Sequence, residues 1–222
     1  MAWDNFTFNK EVAEKEAVSV GGGAFVDTEG LYGGDIEYVE LIEASTGTKG
    51  INIAIKTDTD GSLDIKRIWV EKPDGTQLSG FKTFNQLVQL FANGNFAVAK
   101  QKITKKKWNG SGFDEVQETV DTLKLATTKC QVAVYPEYGM YNGKLTTNMK
   151  VSQFFNTDGQ SMMEFKLGKE ASYINSIESK LAPKYDGVTP DEVEELKANK
   201  SDSSSSNSIA QSNIDNDDDD LL

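Results

Sequence analysis

The sequence predicts a mainly β chain: a five-stranded Greek-key barrel with one helix between its third and fourth strands, then a C-terminal helix and a disordered acidic tail. Three observations lead there. Apolar residues alternate with period two in several segments that are bounded by Asp-Gly or Asn-Gly turns. The period lengthens to that of an amphipathic helix between residues 83 and 94. Beyond residue 199 apolar patterning stops, and the chain ends in DNDDDDLL.

Taken in order, residues 1–24 read as an arm, with a helix-friendly KEVAEKEAVSV and with Trp3, Phe6 and Phe8 able to dock elsewhere. GGGAF at 21–25 reads as a hinge. GLYGGDIEYVELIEAS is a long bent strand, with Ile36, Tyr38 and Glu40 expected on one side and Val39 and Leu41 on the other. GINIAIKT follows, with Ile51, Ile53 and Ile55 facing a core. A turn at Asp60-Gly61 returns the chain as LDIKRIWVEK, where simple alternation puts Ile65, Arg67 and Trp69 on one face and Lys66, Ile68 and Val70 on the other. Residues 30–72 therefore predict a three-stranded meander. Phe84, Leu87, Val88 and Phe91 then recur at helical spacing, with Thr83 as N-cap and Gly94 as stop. An insert at 95–128 holds strand-like pieces around WNGSGF, and two further strands turn at Asn142-Gly143.

Residues 25–157 thus form one domain, 158–198 a helical extension and 199–222 the tail. In the extension Ile174, Ile177 and Leu181 share a helix face, and Pro190 opens a short acidic helix. Three strands, a helix and two strands is the order of the OB-fold, a partly open barrel that binds oligonucleotides or oligosaccharides through its second and third strands and two of its loops. A β-sandwich, the alternative, would more often show seven strands and no helix.

Composition narrows the chemistry. Formal net charge is −12. Residues 199–222 set Lys200 against Asp202, Asp215 and Asp217 to Asp220, one positive charge and six negative, so the tail carries −5 and the body −7. Histidine is absent and Cys130 is the one cysteine, which excludes imidazole metal sites, histidine-dependent triads and intrachain disulfides. No P-loop or dinucleotide fingerprint is present. DTDGS at 58–62 has a partial likeness to a calcium loop, but Trp69 stands where the twelfth-position glutamate is needed. No catalytic residues, metal or cofactor are expected. The N-terminus lacks a signal-like apolar core and no run is long enough to span a membrane, so a cytoplasmic, soluble chain is expected.

Three clusters are candidates for a binding surface. On the second and third strands, Lys56, Lys66, Arg67 and Trp69 combine cations for phosphate with a ring for base stacking; the alternative is that Trp69 belongs to the core. KQKITKKKW sets Lys100, Lys102, Lys105, Lys106 and Lys107 before Trp108, a local reversal of sign suited to a phosphate track. Lysines that protect a strand edge from pairing would give the same run. In YPEYGMYNGK, Tyr138, Tyr141 and Lys144 surround a tight turn and offer an aromatic clamp.

GLYGGDIEYVELIEA, GINIAIKTDTDGS, DIKRIWV and DNDDDDLL together resemble the single-stranded DNA-binding proteins of bacteria and their phages, most closely phage versions with one OB domain per chain. The resemblance covers residues 30–156 by element order and 201–222 by composition. It implies a sequence-independent binder that coats single strands in replication, recombination or repair, in the host cytoplasm if phage-encoded, with homo-oligomerisation left open. It also implies that Asp217, Asp218, Asp219, Asp220, Leu221 and Leu222 recruit replication proteins such as a polymerase, helicase or primase, and compete with DNA as a tethered polyanion. The family's tail usually ends in phenylalanine rather than leucine. A virion structural protein, a β-barrel interaction module and a carbohydrate-binding barrel are the alternatives.

Overall fold

The structure is a computed structural model that describes residues 21–22, 26, 28–59, 61–108 and 113–203. The expected arm before residue 21 and the tail residues 204–222, including Asp217 to Leu222, lie outside the described residues.

The chain is mainly β. Its strands are β1 (Gly21–Gly22), β2 (Gly30–Glu43), β3 (Lys49–Thr57), β4 (Ser62–Glu71), β5 (Val98–Trp108), β6 (Phe113–Leu123), β7 (Lys129–Tyr141), β8 (Lys144–Phe155) and β9 (Lys184–Asp186). The helices are α1 (Phe81–Phe91), α2 (Met162–Leu167), α3 (Ile174–Ile177) and α4 (Pro190–Ser203). The strands are joined in one open sheet whose main path runs β1-β8-β7-β2-β3-β4, antiparallel along that path. β6 adds to the second half of β2, β5 pairs with β6, and β9 lies parallel to β7.

Alternation explains why the core is where it is. Ile51, Ile53 and Ile55 of β3 are all buried, as are Leu63, Ile65, Ile68 and Val70 of β4 and Val132, Val134, Val151 and Phe154 of β7 and β8. α1 closes this core and buries nearly every residue it has. It starts at Phe81 with Gly80 as N-cap, earlier than expected, so that Thr83 lies inside the helix rather than at its cap. The helix ends through Asn93 and Gly94, both at positive φ, and the Gly94 N–H returns to the Val88 carbonyl at 2.9 Å. Gln86 ties α1 to the sheet, its side-chain oxygen accepting from the Phe154 N–H at 3.2 Å.

The sequence reading and the structure part company at bulges. Glu37 is an extra residue in β2, because Ile36 pairs with Ile55 and Tyr38 with Ala54. Likewise Asn52 of β3 faces two residues of β4, Lys66 and Arg67, between the pairs Ile53–Ile65 and Ile51–Ile68. A bulge moves every later side chain to the opposite face from the one uninterrupted alternation assigns. Ile36, Val39 and Leu41 therefore share the core, and so do Ile65 and Ile68, while Lys66 and Arg67 are both exposed.

In the C-terminal extension, Ile174, Ile177 and Leu181 do pack together, against Phe155 and Ala133, but α3 is a single turn continued by a 3-10 turn at Glu178–Lys180. α4 begins at Pro190 as expected. α2, β1 and β9 are additions; Gly21–Gly22, read as hinge, pairs with Lys150 and Met149 of β8.

Candidate nucleic-acid interface

The outer face of β2, β3 and β4 carries the first cluster. Register partners share a face, so Tyr38 and Glu40 of β2 lie beside Ala54 and Asn52 of β3, and Trp69 of β4 lies beside Gly50. The Trp69 ring rests on Gly50: a Cβ at that glycine would stand 2.6 Å from Trp69 Cε3. Only glycine lets the indole lie that close to the strand. Trp69 is half-buried, neither core nor fully open. Lys56 is exposed at the other end of β3, about 20 Å away at ~3.3 Å per residue.

Between them stands the bulge. Arg67 has φ 58°, a left-handed conformation that costs a non-glycine residue roughly 1–2 kcal/mol. Its N–H donates to Asn52 Oδ1 at 2.8 Å. Asn52 Nδ2 donates in turn to Glu40 Oε2 at 2.9 Å. Glu40 is buried (5% exposed), and its other oxygen accepts from Lys105 Nζ at 2.6 Å. Lys105 also lies 3.4 Å from Glu118. Burial alone would push the Lys105 ammonium down, but the Glu40 and Glu118 carboxylates outweigh it and raise it above the ordinary lysine value. Gln101 Nε2 donates to the Glu37 carbonyl at 3.1 Å, so the β5–β6 hairpin leans onto β2.

The second cluster differs from expectation. β5 pairs in register with β6, and this sets acids opposite the lysines: Lys100 pairs with Asp121, Lys106 with Glu115 and Lys107 with Asp114. Lys100 Nζ lies 3.3 Å from Asp121 Oδ1. Opposite charges facing across a hairpin stabilise it. Lys100 and Lys105 thus meet the carboxylates of Asp121 and Glu118, and the backbone register sets Lys106 and Lys107 opposite Glu115 and Asp114, so acids offset much of the expected cationic track. Lys102 is exposed, across from Thr119. The side chains of Lys106, Lys107 and Trp108 lie outside the described residues.

The third cluster divides. Tyr138 is 4% exposed, stacked on Tyr185 with ring centroids 5.7 Å apart, and its hydroxyl accepts from Lys197 Nζ at 2.7 Å. It anchors α4 together with Leu145 and Val193, so the aromatic clamp expected of it is a packing contact. Tyr141 (47% exposed) and Lys144 stay at the surface on either side of the Asn142-Gly143 turn.

Tyr38, Glu40, Gly50 and Asn52 belong to this face and were missed as site residues. The face is mixed in charge: burial, then the carboxylates of Asp64, Glu40 and Glu37, push the Tyr38 hydroxyl up to about 12. Among the described residues no group of three or more His, Cys, Asp or Glu side chains is placed to hold a metal ion, and no helix is long and apolar enough to cross a membrane. No family model, curated protein or solved structure matches the chain.

Proposed function

We propose that the chain binds single-stranded DNA without sequence preference, on the outer face of β2, β3 and β4, in DNA replication, recombination or repair. The observation that carries this reading is the Trp69 indole laid over Gly50, next to a bulge that exposes two successive cations, Lys66 and Arg67. A flat ring stacks on any base, and adjacent cations hold phosphate, which together give affinity without sequence readout. The neighbour order β4-β3-β2-β7-β8, with α1 after the third of these strands in the chain, supports reading them as an OB-fold whose sheet stays open in hydrogen bonding. Lys56, at the far end of β3, is exposed and would extend the track; Tyr141 and Lys144 are exposed at the β7–β8 turn. Asp217 to Asp220 with Leu221 and Leu222 would recruit replication proteins and compete for the cationic face, a role resting on their composition.

The test is binding of labelled oligo-dT by fluorescence anisotropy to the full chain and to a Lys56→Glu, Lys66→Glu, Arg67→Glu triple variant. At low salt the variant should bind at least tenfold more weakly. Its slope of log K against log salt should be shallower by about 0.7 per lost phosphate contact. A wild-type chain with no affinity for oligo-dT at low salt would overturn the reading.

One observation favours a second reading, a virion structural or interaction protein: the carboxylates around Tyr38 and across the hairpin repel phosphate and suit a protein partner better than a nucleic acid. No affinity for oligo-dT at low salt in either wild type or triple variant would favour it.

A further inference from the structure

The bulge and the hairpin are joined by one line of contacts that crosses five strands. From Arg67 on β4 it passes to Asn52 on β3, Glu40 on β2, Lys105 on β5 and Glu118 on β6, with successive separations of 2.8, 2.9, 2.6 and 3.4 Å. Glu40 is the centre of the line: each of its oxygens serves one side, Oε2 towards the bulge and Oε1 towards the hairpin. Its side chain is only 7% exposed, so it tolerates loss of either partner poorly. Asn52 can aim its Oδ1 at the Arg67 N–H only while its amide nitrogen is held the other way, and Glu40 does that holding.

We propose that Glu40 is a positioning residue that couples the seating of the β5–β6 hairpin to the left-handed bulge on which Lys66 and Arg67 are presented. Lys105 is accordingly a pin for the hairpin and contributes no phosphate contact of its own. The functional half of this inference rests on the nucleic-acid reading of the face; the coupling itself does not.

The experiment uses the full chain and two readouts. The first needs no DNA: amide hydrogen exchange at Arg67, whose N–H is held by Asn52. Glu40→Gln and Lys105→Met should each speed that exchange at least tenfold, as should Asn52→Ala, which removes the acceptor directly. The second is oligo-dT affinity in a double-mutant cycle. Glu40→Gln should weaken binding about 5- to 20-fold in the wild-type background and change nothing further in a Lys66→Ala, Arg67→Ala background, because it acts through those two presented cations. General destabilisation would add in both backgrounds. Should Glu40→Gln fail to fold, Lys105→Met, on the more exposed hairpin side of Glu40, carries both readouts. Arg67 exchange unchanged in Lys105→Met overturns the coupling, and additive losses of affinity overturn the positioning role. A wild-type chain that does not bind oligo-dT overturns the nucleic-acid reading, while exchange at Arg67 still decides the coupling.

Discussion

Trp69 and Gly50 set the chemistry of the face at the scale of single residues. Trp69→Ala should cost about 1–3 kcal/mol of oligo-dT affinity, the worth of one stacked base. The check is a titration in which the wild-type protein is measured beside it at the same salt. Gly50→Ala leaves the indole in place chemically but puts a methyl group where Trp69 Cε3 stands. It should weaken binding less than Trp69→Ala, and it should shift the emission of Trp69 in a Trp3→Phe, Trp108→Phe background. Arg67→Gly separates strain from charge. The backbone strain at φ 58° disappears, so thermal stability should hold or rise, while affinity for oligo-dT falls. The cations and the tryptophan were legible in the sequence, because lysine, arginine and tryptophan announce their chemistry. Their shared presentation was not. It depends on one extra residue in β4, and a bulge leaves no mark in an alternation pattern until the partner strand is known.

At the scale of elements, pairing decides what a motif means. The lysine run of β5 looks like a phosphate track until β6 sets Asp114, Glu115, Glu118 and Asp121 against it. Local sequence shows both charge runs, but only register shows that they face each other. Tyr138 is a similar case: its place in a hairpin was legible, whereas Tyr185 and Lys197, which bury it, come from distant segments. α2 shows the reverse, a signal present and passed over. Ser161 and Glu164 form a capping box, the S-x-x-E pattern that marks a helix start. Glu164 also accepts from Ser172 N, Ser172 Oγ and Tyr173 N, each at 2.8 Å, and so clamps α2 to the segment leading into α3. Burial pushes this carboxyl up, but the hydrogen bonds from Ser161, Tyr173 and Ser172 outweigh burial and bring it from 4.5 to about 2. A lowered folded value means that the stabilisation is complete above the unfolded value and is lost as pH falls towards about 2. Glu164→Gln should therefore destabilise the protein at neutral pH by about 1.5–3 kcal/mol, the range for hydrogen bonds to a charged group. The deficit should shrink as pH drops from 4.5 towards 2, which denaturant melts at several pH values would trace.

At the scale of the whole molecule, the described residues form an open, mainly antiparallel sheet around a main core, with α1 closing that core and α4 held against the β7–β8 hairpin. Mainly β character, the meander at 30–72 and the single helix after it were legible because period two and period 3.6 are local properties. The nine-strand connectivity was not, since β6 on β2 and β9 on β7 are long-range pairings between short or charged segments. For the proposed function the decisive property is that bases stack on Trp69 while phosphates meet Lys56, Lys66 and Arg67 in one event. The most direct measurement is a titration of Trp69 fluorescence with oligo-dT at several salt concentrations, in the full chain carrying Trp3→Phe and Trp108→Phe. Quenching that saturates, with log K falling linearly against log salt with a slope of about −2 for three phosphate contacts, is the expected result. Unchanged Trp69 emission at low salt, while the protein remains folded, would contradict it.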